Sequence, residues 1–425
     1  MARGIKALVG RLMASSLTAG LMAYGASEVA SKLSRLGVVI VLARYMDPVS
    51  IGLAAGAIAT SDILKSLTEN GVGQRIIAAR SYELDATCVT AHRIFWVWCL
   101  GLFALQLALA AAVSGVSDDW LGFALIAVIA GEYLFMPGGL TQCALAMREG
   151  KLKQTATISG TQVVAANFLT VALVIVWPHP LSIVLPRLLT APIWLVAMRR
   201  LRPWRPAAVA PAPLAPFVRF GSAVIGIEFL KAVRLQGDKL IVGGVLGADA
   251  LGIYFFAVNA GLGITNSFSS ALSTVLFPFI SRSDNRDRAI GHALALALGI
   301  IVPVAIAQSL LAPVYVPIIF GADWANMASL VAILCLAAIP TVLWSASAQW
   351  LRTGGRAGTE FSYSLAIGAT ILVSTAVAAP FGLTAVAWTV LAAMTVSQTV
   401  ASLPALLAAL RATRGFSPTL SDQRC

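Results

Sequence analysis

Three charged residues lie close together near the start of a chain that is otherwise largely apolar, and they are Glu28, Lys32 and Arg35. At about 100° per residue, Lys32 falls about 40° and Arg35 about 20° from Glu28 around a helix axis, so the three side chains share one narrow stripe. Charges at membrane depth are costly, and they usually face a bundle interior or a water-filled cavity. The stripe therefore predicts either a binding site or a set of paired charges.

A second charged stripe follows about two hundred residues later, with Glu228, Lys231, Arg234 and Asp238. Over both stripes four cations face three acids, and this surplus favours a cavity with cationic walls for an anionic headgroup. Arg suits phosphate groups because its planar guanidinium can donate two parallel hydrogen bonds. The alternative is internal neutralisation without a binding function. Its expected pairs are Glu28 with Lys32, Glu228 with Lys231, and Asp62 with Lys65.

The second predicted helix also carries charges, because Asp62, Lys65 and Glu69 are spaced three and four residues apart and so share a face. Glu132 is a further carboxylate at membrane depth. Arg187 lies near the predicted outer end of the sixth helix, where we expect its long side chain to reach the lipid headgroups.

Composition identifies a membrane protein. Of the 425 residues, 59% are hydrophobic and 11% are charged, and the mean hydropathy is +0.86. The apolar runs are continuous rather than alternating, which predicts an all-α polytopic protein and excludes a β-barrel. The five cysteines form no CxxC pair, and the sequence contains no metal-ligand spacing, nucleotide motif or catalytic triad pattern. We therefore expect no metal, no cofactor and no enzymatic activity.

Apolar windows of about twenty residues, the length that spans a bilayer, predict twelve transmembrane helices. Their approximate ranges are 17–44, 50–69, 90–113, 120–147, 155–177, 181–198, 218–246, 250–276, 289–311, 327–350, 360–379 and 384–410. These form an N-terminal lobe at 1–200 and a C-terminal lobe at 217–410, followed by a cytoplasmic tail at 411–425. Prolines in the cytoplasmic Pro/Arg linker at 201–216 favour extended polyproline II, so we expect this linker to be semi-rigid.

Basic residues alternate between successive inter-helix segments. Most of the 30 Lys and Arg residues lie in one set of segments, whereas the other set holds acids and no Lys or Arg. These acids are Asp47, Asp118, Asp119, Asp249 and Asp323. The positive-inside rule predicts that both termini and every basic loop are cytoplasmic. Topology thus accounts for the net charge of +12 without nucleic-acid binding.

The two halves look like repeats at a shift of 200 residues, because Glu28 corresponds to Glu228 and Gly52 to Gly252. Each half opens with a charged-stripe helix, continues with a tight outer turn that contains Asp and Gly, and has a basic loop after its second helix. Because six helices is an even number, the halves have the same orientation. Parallel repeats of this kind occur in alternating-access transporters.

Short motifs spread over nearly the whole chain resemble those of one exporter family. They lie at Leu36–Leu53, Glu69–Gly71, Asp238–Gly247, Leu251–Tyr254, Leu276–Pro278 with Ser281 and Arg282, and Ile319–Gly321. In this order they resemble the polysaccharide flippases of the Wzx/PST type, in the multidrug/oligosaccharidyl-lipid/polysaccharide (MOP) exporter superfamily. The resemblance implies two pseudo-symmetric six-helix lobes around a central cavity, the MOP/MATE-like fold.

The resemblance also implies transport of an undecaprenyl-pyrophosphate-linked oligosaccharide across the bacterial inner membrane, for exopolysaccharide or lipopolysaccharide biosynthesis. Cations that line the cavity would hold the pyrophosphate or acidic sugars. We assign this role, as a hypothesis, to Lys32, Arg35, Lys65, Lys231 and Arg234. Candidates for ion coupling or charge pairing are Glu28, Asp62, Glu69, Glu228 and Asp238. Expected partners are membrane lipids, H⁺ or Na⁺ as a coupling ion, and a polymerase or glycosyltransferases.

Two other functions stay open. A cation-coupled exporter of drugs or small amphiphiles would have the same fold, although its cavity should be apolar and acidic rather than cationic. A membrane glycosyltransferase or polysaccharide polymerase would need a sizeable catalytic loop, and the predicted outer loops are short. A drug-efflux assay beside a glycan-export assay separates the first alternative from a flippase.

Overall fold

The computed structural model describes residues 34–117, 120–206, 208–281, 283 and 285–414. Over these residues the chain forms helices joined by short turns, with no β-strand. Eight of the described helices are long and apolar enough to cross a membrane, and one bent pair would make a ninth. The all-α membrane fold is therefore confirmed, whereas the number of twelve spans stays a prediction.

Packing divides the chain into two compact units, Met1–Leu240 and Ile241–Cys425. The first unit contains α1 (34–45), α2 (Pro48–Ser66), α3 (Val72–Ala78), α4 (Leu84–Ser117), α5 (Trp120–Ala130), α6 (Glu132–Phe135), α7 (Pro137–Arg148), α8 (Leu152–Val176) and α9 (Leu181–Leu201). The boundary falls inside the long helix α10 (Ala215–Ser281). The lobes expected at 1–200 and 217–410 stay a prediction.

Sequence signals for a helix start and for a turn flank helix α2. Asp47 caps its N-terminus by accepting a hydrogen bond of 2.9 Å from the Ser50 N–H, and Pro48 occupies the first turn, where no backbone donor is needed. The helix ends at Ser66, and Gly71 then takes a positive φ of 73° before α3 begins. Asp62 and Lys65 thus lie near the C-terminal end of α2.

The apolar segment predicted at 120–147 is broken rather than continuous. Its halves, Trp120–Phe135 and Pro137–Arg148, are bent by 52°. Pro137 has no N–H to donate into the preceding turn, and its ring clashes with that turn, which favours a bend at this point. Gly131 and Leu134 instead make tighter i to i+3 hydrogen bonds of 3.2 Å. The break places Glu132 where the regular helix is interrupted.

The second unit begins inside α10. After the part of α10 that follows Leu240, it contains α11 (Arg286–Phe320), α12 (Ala328–Leu336), α13 (Ala338–Thr353), α14 (Ala357–Ala378) and α15 (Leu383–Arg414). Gly247 interrupts α10 with a φ of 87°, at the turn that the sequence predicted between two helices. Helices α12 and α13 are also halves of one predicted segment, separated at Ala337. Among the described residues, the segment at 120–147 is sharply bent, whereas Ala322–Thr353 passes as one span despite the turn at Ala337.

The Pro/Arg linker lies within the N-terminal unit and packs against α4. Thr90 Oγ1 on α4 donates a hydrogen bond of 2.9 Å to the Ala212 carbonyl, and the Ala212 N–H donates one of 3.3 Å to the Ala86 carbonyl. The Trp204 ring lies 5.2 Å from the His92 ring, centroid to centroid. These contacts fasten the linker along the first turns of α4.

Candidate functional site

Asp62 on α2 accepts hydrogen bonds from two other helices of the N-terminal unit. Arg187 Nη1 on α9 lies 2.8 Å from Asp62 Oδ1, and Gln236 Nε2 on α10 lies 3.1 Å from Oδ2. The Asp62 and Arg187 side chains are only 28% and 27% exposed. The prediction that Arg187 reaches the headgroups is wrong, because its guanidinium is held inside the unit by this carboxylate.

A second ion pair joins Lys65 on α2 to Glu132 at the break between α5 and α7. The Glu132 side chain is 6% exposed and the Lys65 side chain 40% exposed, so the buried acid is matched by a partly accessible cation. The expected pairing of Asp62 with Lys65 is therefore wrong. Each of these residues pairs instead with a residue on another helix.

Buried polar groups hold α2, α4 and α5 together next to these pairs. Gln106 on α4 is completely buried, and its Nε2 donates 2.9 Å to Ser61 Oγ and 3.0 Å to the Ile126 carbonyl. The Tyr133 hydroxyl is also buried and has no hydrogen-bond partner among the described residues. Polar side chains in an apolar bundle are costly unless they are satisfied, so this region is a candidate for function.

Arg35 on α1 is exposed and makes no ion pair or hydrogen bond with any residue that the structure describes. It lies ten residues before the helix ends at residue 45, which is about 15 Å at 1.5 Å per residue. This is about half of a hydrocarbon core of roughly 30 Å. A guanidinium accessible at that depth is expected to face water rather than lipid tails.

In the second stripe, Lys231 Nζ lies 3.1 Å from Glu228 Oε2, and the Lys231 side chain is 57% exposed. The expected pair is confirmed. Lys231 lies sixteen residues from both Ala215 and Gly247, about 24 Å from each along the helix, so the pair occupies the middle of this segment. Asp238 contacts Lys239 at 3.5 Å, and Arg234 is half-buried on the same helix.

Some sequence-predicted site residues lie elsewhere. Glu28 and Lys32 fall outside the described residues. Glu69 does not continue the Asp62 and Lys65 stripe, because α2 ends at Ser66 and Glu69 is exposed in the following turn. Whether any of the ten candidates binds a substrate or couples an ion stays a prediction.

At the end of the unit where α7, α8 and α9 meet, Glu149 is the acid that pairs with neighbouring cations. Its carboxylate contacts Lys151 Nζ at 2.9 Å and Arg202 Nε at 2.5 Å. Hydrogen bonds from Lys151 and then Arg202 hold the pKa of the Glu149 carboxyl below its usual value. Arg199 donates to the Gly138 carbonyl at 2.9 Å.

Sequence reasoning missed the contributions of Gln106 and Gln236 and the role of Arg187. The available signal was their chemistry, because a Gln or Arg within an apolar run is expected to find a polar partner or to face water. The partner itself could not be read from the sequence, since Asp62 lies 125 residues from Arg187 and 174 from Gln236. Each of the two ion pairs balances its carboxylate, Asp62 or Glu132, with a cation from another helix.

Comparison with known proteins gives a consistent result. Residues 41–329 match the family model described as polysaccharide biosynthesis protein. The lipopolysaccharide biosynthesis protein WzxC of Escherichia coli (strain K12) is 22% identical over 339 residues, which cover 76% of this chain and 67% of WzxC.

Solved structures share the fold. The lipid II flippase MurJ in an inward closed conformation superposes with a TM-score of 0.74 at 12% identity, covering 92% of this chain and 91% of MurJ. An inward-facing multidrug resistance MATE family transporter of the MOP superfamily gives a TM-score of 0.61 at 14% identity, covering 96% and 98%. These matches confirm the resemblance that the short motifs indicated.

Proposed function

The chain belongs to the polysaccharide biosynthesis protein family, and from this premise we propose that it is a flippase for a lipid-linked oligosaccharide. The substrate is an undecaprenyl-pyrophosphate-linked repeat unit, which crosses the bacterial inner membrane from the cytoplasmic leaflet. Both protein termini are cytoplasmic. The two halves rock by alternating access, so that the sugars pass through a wet cavity while the prenyl chain stays in lipid.

The exposed guanidinium of Arg35 carries this proposal. Its depth of about 15 Å from the helix end favours contact with a hydrated, anionic group over contact with lipid tails. Lys231 is paired with Glu228 but is 57% exposed in the middle of its own helical segment, so it offers a second accessible cation. Lys32, Lys65 and Arg234 complete the proposed set that holds the pyrophosphate.

The internal ion pairs supply a means of coupling. When an anionic headgroup binds near Lys65, it competes with Glu132 for the ammonium, and the released carboxylate can take up H⁺ or Na⁺. Asp62, held by Arg187 and Gln236, is a second acid that could respond in this way. Substrate binding would then favour one conformation to the extent that its interactions differ between the two states.

The test is surface-polysaccharide export in a host that lacks its own flippase and expresses this chain. We expect the combined Arg35→Gln and Arg234→Gln replacement to lower export at least tenfold. A hydrogen bond to a charged group contributes about 1.5–3 kcal/mol, and about 1.4 kcal/mol corresponds to a tenfold change. Arg35→Lys keeps the charge and loses the planar guanidinium. Its export should lie between that of the unmodified chain and that of the double variant.

Arg93→Gln is the matched control, because Arg93 is an exposed cation nine residues after the start of α4, without a partner among the described residues. It should export normally. Normal export by the double variant at equal membrane expression would show that the headgroup site is wrong. Failure of the unmodified chain to export any glycan, together with resistance to cationic drugs, would replace the flippase by the drug exporter.

A further inference from the structure

A groove of about 1090 Å³ lies on the surface of the N-terminal unit between α8 and α9. Its body is apolar and is lined by Ile158, Ile193 and Val196. The two helices are connected by a short turn at their other ends, so Lys153 near the start of α8 and Arg200 near the end of α9 lie at the same end of the groove. Ile193 lies seven residues before Arg200, about 10 Å further along the groove. The groove is therefore amphipathic along its length.

The two cations of the groove differ from their basic neighbours. Lys151 and Arg202 share the Glu149 carboxylate, and Arg199 donates to a backbone carbonyl. Lys153 and Arg200, by contrast, form no hydrogen bond or ion pair with any residue in the described part of the chain. Two positive charges without a partner among the described residues therefore lie at one end of the apolar groove.

We propose that this groove binds an anionic phospholipid, with its phosphate between Lys153 and Arg200 and its acyl chains along Ile158, Ile193 and Val196. The positive-inside orientation puts this end at the cytoplasmic leaflet, where basic pockets between transmembrane helices bind anionic headgroups. A volume near 1000 Å³ suits a molecule larger than a free ion. The site is separate from the proposed substrate cations and does not depend on what the protein transports.

The test uses the purified full chain and phosphatidylglycerol, with phosphatidylcholine for comparison, and counts bound lipids by native mass spectrometry. We expect phosphatidylglycerol to be retained selectively. The Lys153→Gln and Arg200→Gln double variant should bind it about thirtyfold more weakly, equivalent to about 2 kcal/mol, because a basic residue near the membrane surface contributes roughly 1 kcal/mol. Val196→Trp, which fills the apolar body without changing charge, should also reduce binding.

The control is the Arg205→Gln and Arg219→Gln double variant, which removes the same charge from exposed positions outside the groove. It should retain phosphatidylglycerol as the unmodified chain does. Equal retention by the groove variant and this control would overturn the proposal, as would equal binding of phosphatidylcholine. Competition by free glycerol phosphate would identify a simple anion site instead. Preferential displacement by undecaprenyl phosphate would assign the groove to the substrate carrier, and both outcomes would refute the phospholipid site.

Glycan export is measured on the same variants to separate the two proposals. Loss of lipid retention with normal export leaves the flippase proposal intact. Normal lipid retention by the chain, combined with failed export of any glycan, would refute the flippase proposal and leave this lipid site standing.

Discussion

Asp62 and Arg187 form a largely buried ion pair, and the pair predicts how single and double replacements will differ. Removing one member of such a pair leaves the other charge without a match and costs about 3–5 kcal/mol. We expect Asp62→Asn and Arg187→Gln each to lower thermal stability in detergent, by roughly 3 kcal/mol in free energy of unfolding. The double variant should recover part of the loss, since it contains neither charge of the pair.

Glu228→Gln is the control for this comparison. It also breaks an ion pair, but the Lys231 partner is 57% exposed, and exposed pairs contribute only about 0–1 kcal/mol. Its thermal midpoint should stay close to that of the unmodified chain. Additive losses in the Asp62 and Arg187 double variant would show that the two residues do not act as a pair.

At the scale of the element, close packing depends on a missing side chain in α10. A Cβ added at Gly221 would lie 2.7 Å from the Asn70 carbonyl oxygen, a backbone atom in the turn after α2. We expect Gly221→Ala to destabilise the N-terminal unit by about 1–3 kcal/mol, as overpacking commonly does. Faster proteolysis of the turn between α2 and α3 would report the same displacement.

Gly226→Ala supplies the comparison within the same helix. Nothing lies within 4 Å of a Cβ added there. Because Ala is favoured over Gly in a helix by about 0.5–1 kcal/mol, this variant should be unchanged or slightly more stable. If both variants behave alike, helix propensity rather than contact with the α2 turn determines the effect.

The sequence predicts elements better than it predicts their interruptions. The fifth helix, expected at 155–177, is found at Leu152–Val176, because a long apolar run with no internal break leaves little ambiguity. The segment at 120–147 was predicted as one helix, although Pro137 divides it. Hydropathy alone cannot separate these cases, since a broken apolar helix and a straight one have the same composition.

Site prediction failed where the partners are distant in sequence. Glu228 and Lys231 are three residues apart, so the helix itself brings them together and their pairing could be expected. Asp62 and Lys65 have the same spacing, yet each pairs with a residue on another helix. Local spacing identifies which residues share a face, but tertiary packing decides which of them touch.

At the scale of the whole molecule, the alternation of basic and acidic segments predicts which loops can be reached from each side. In a cysteine-free background, Val49→Cys and Asp323→Cys occupy exposed positions on the predicted outer side. They should react with a membrane-impermeant maleimide added to cells with a permeabilised outer membrane. Glu83→Cys and Arg205→Cys, exposed on the predicted cytoplasmic side, should react only after the inner membrane is opened.

Each cysteine variant is checked for export before labelling, so that a misfolded protein does not count. Labelling of Glu83→Cys from outside the inner membrane would show that the orientation is the reverse of the predicted one. The twelve-helix prediction places an even number of spans between the two positions on the same side. If one of these two positions is labelled as expected and the other is not, the number of spans between them is odd and the prediction is wrong.

The partners of Asp62 lie far from it in the sequence, so they are synthesised and inserted into the membrane later than Asp62. Arg187 is translated 125 residues after Asp62, a delay of roughly 6–25 s at about 5–20 residues per second. When helices enter the membrane in the order of their synthesis, α2 must reside there before its cationic partner exists. We therefore expect α2 to need protection from lipid until α9 arrives, and a nascent chain stalled before Arg187 to be degraded more readily than the full chain.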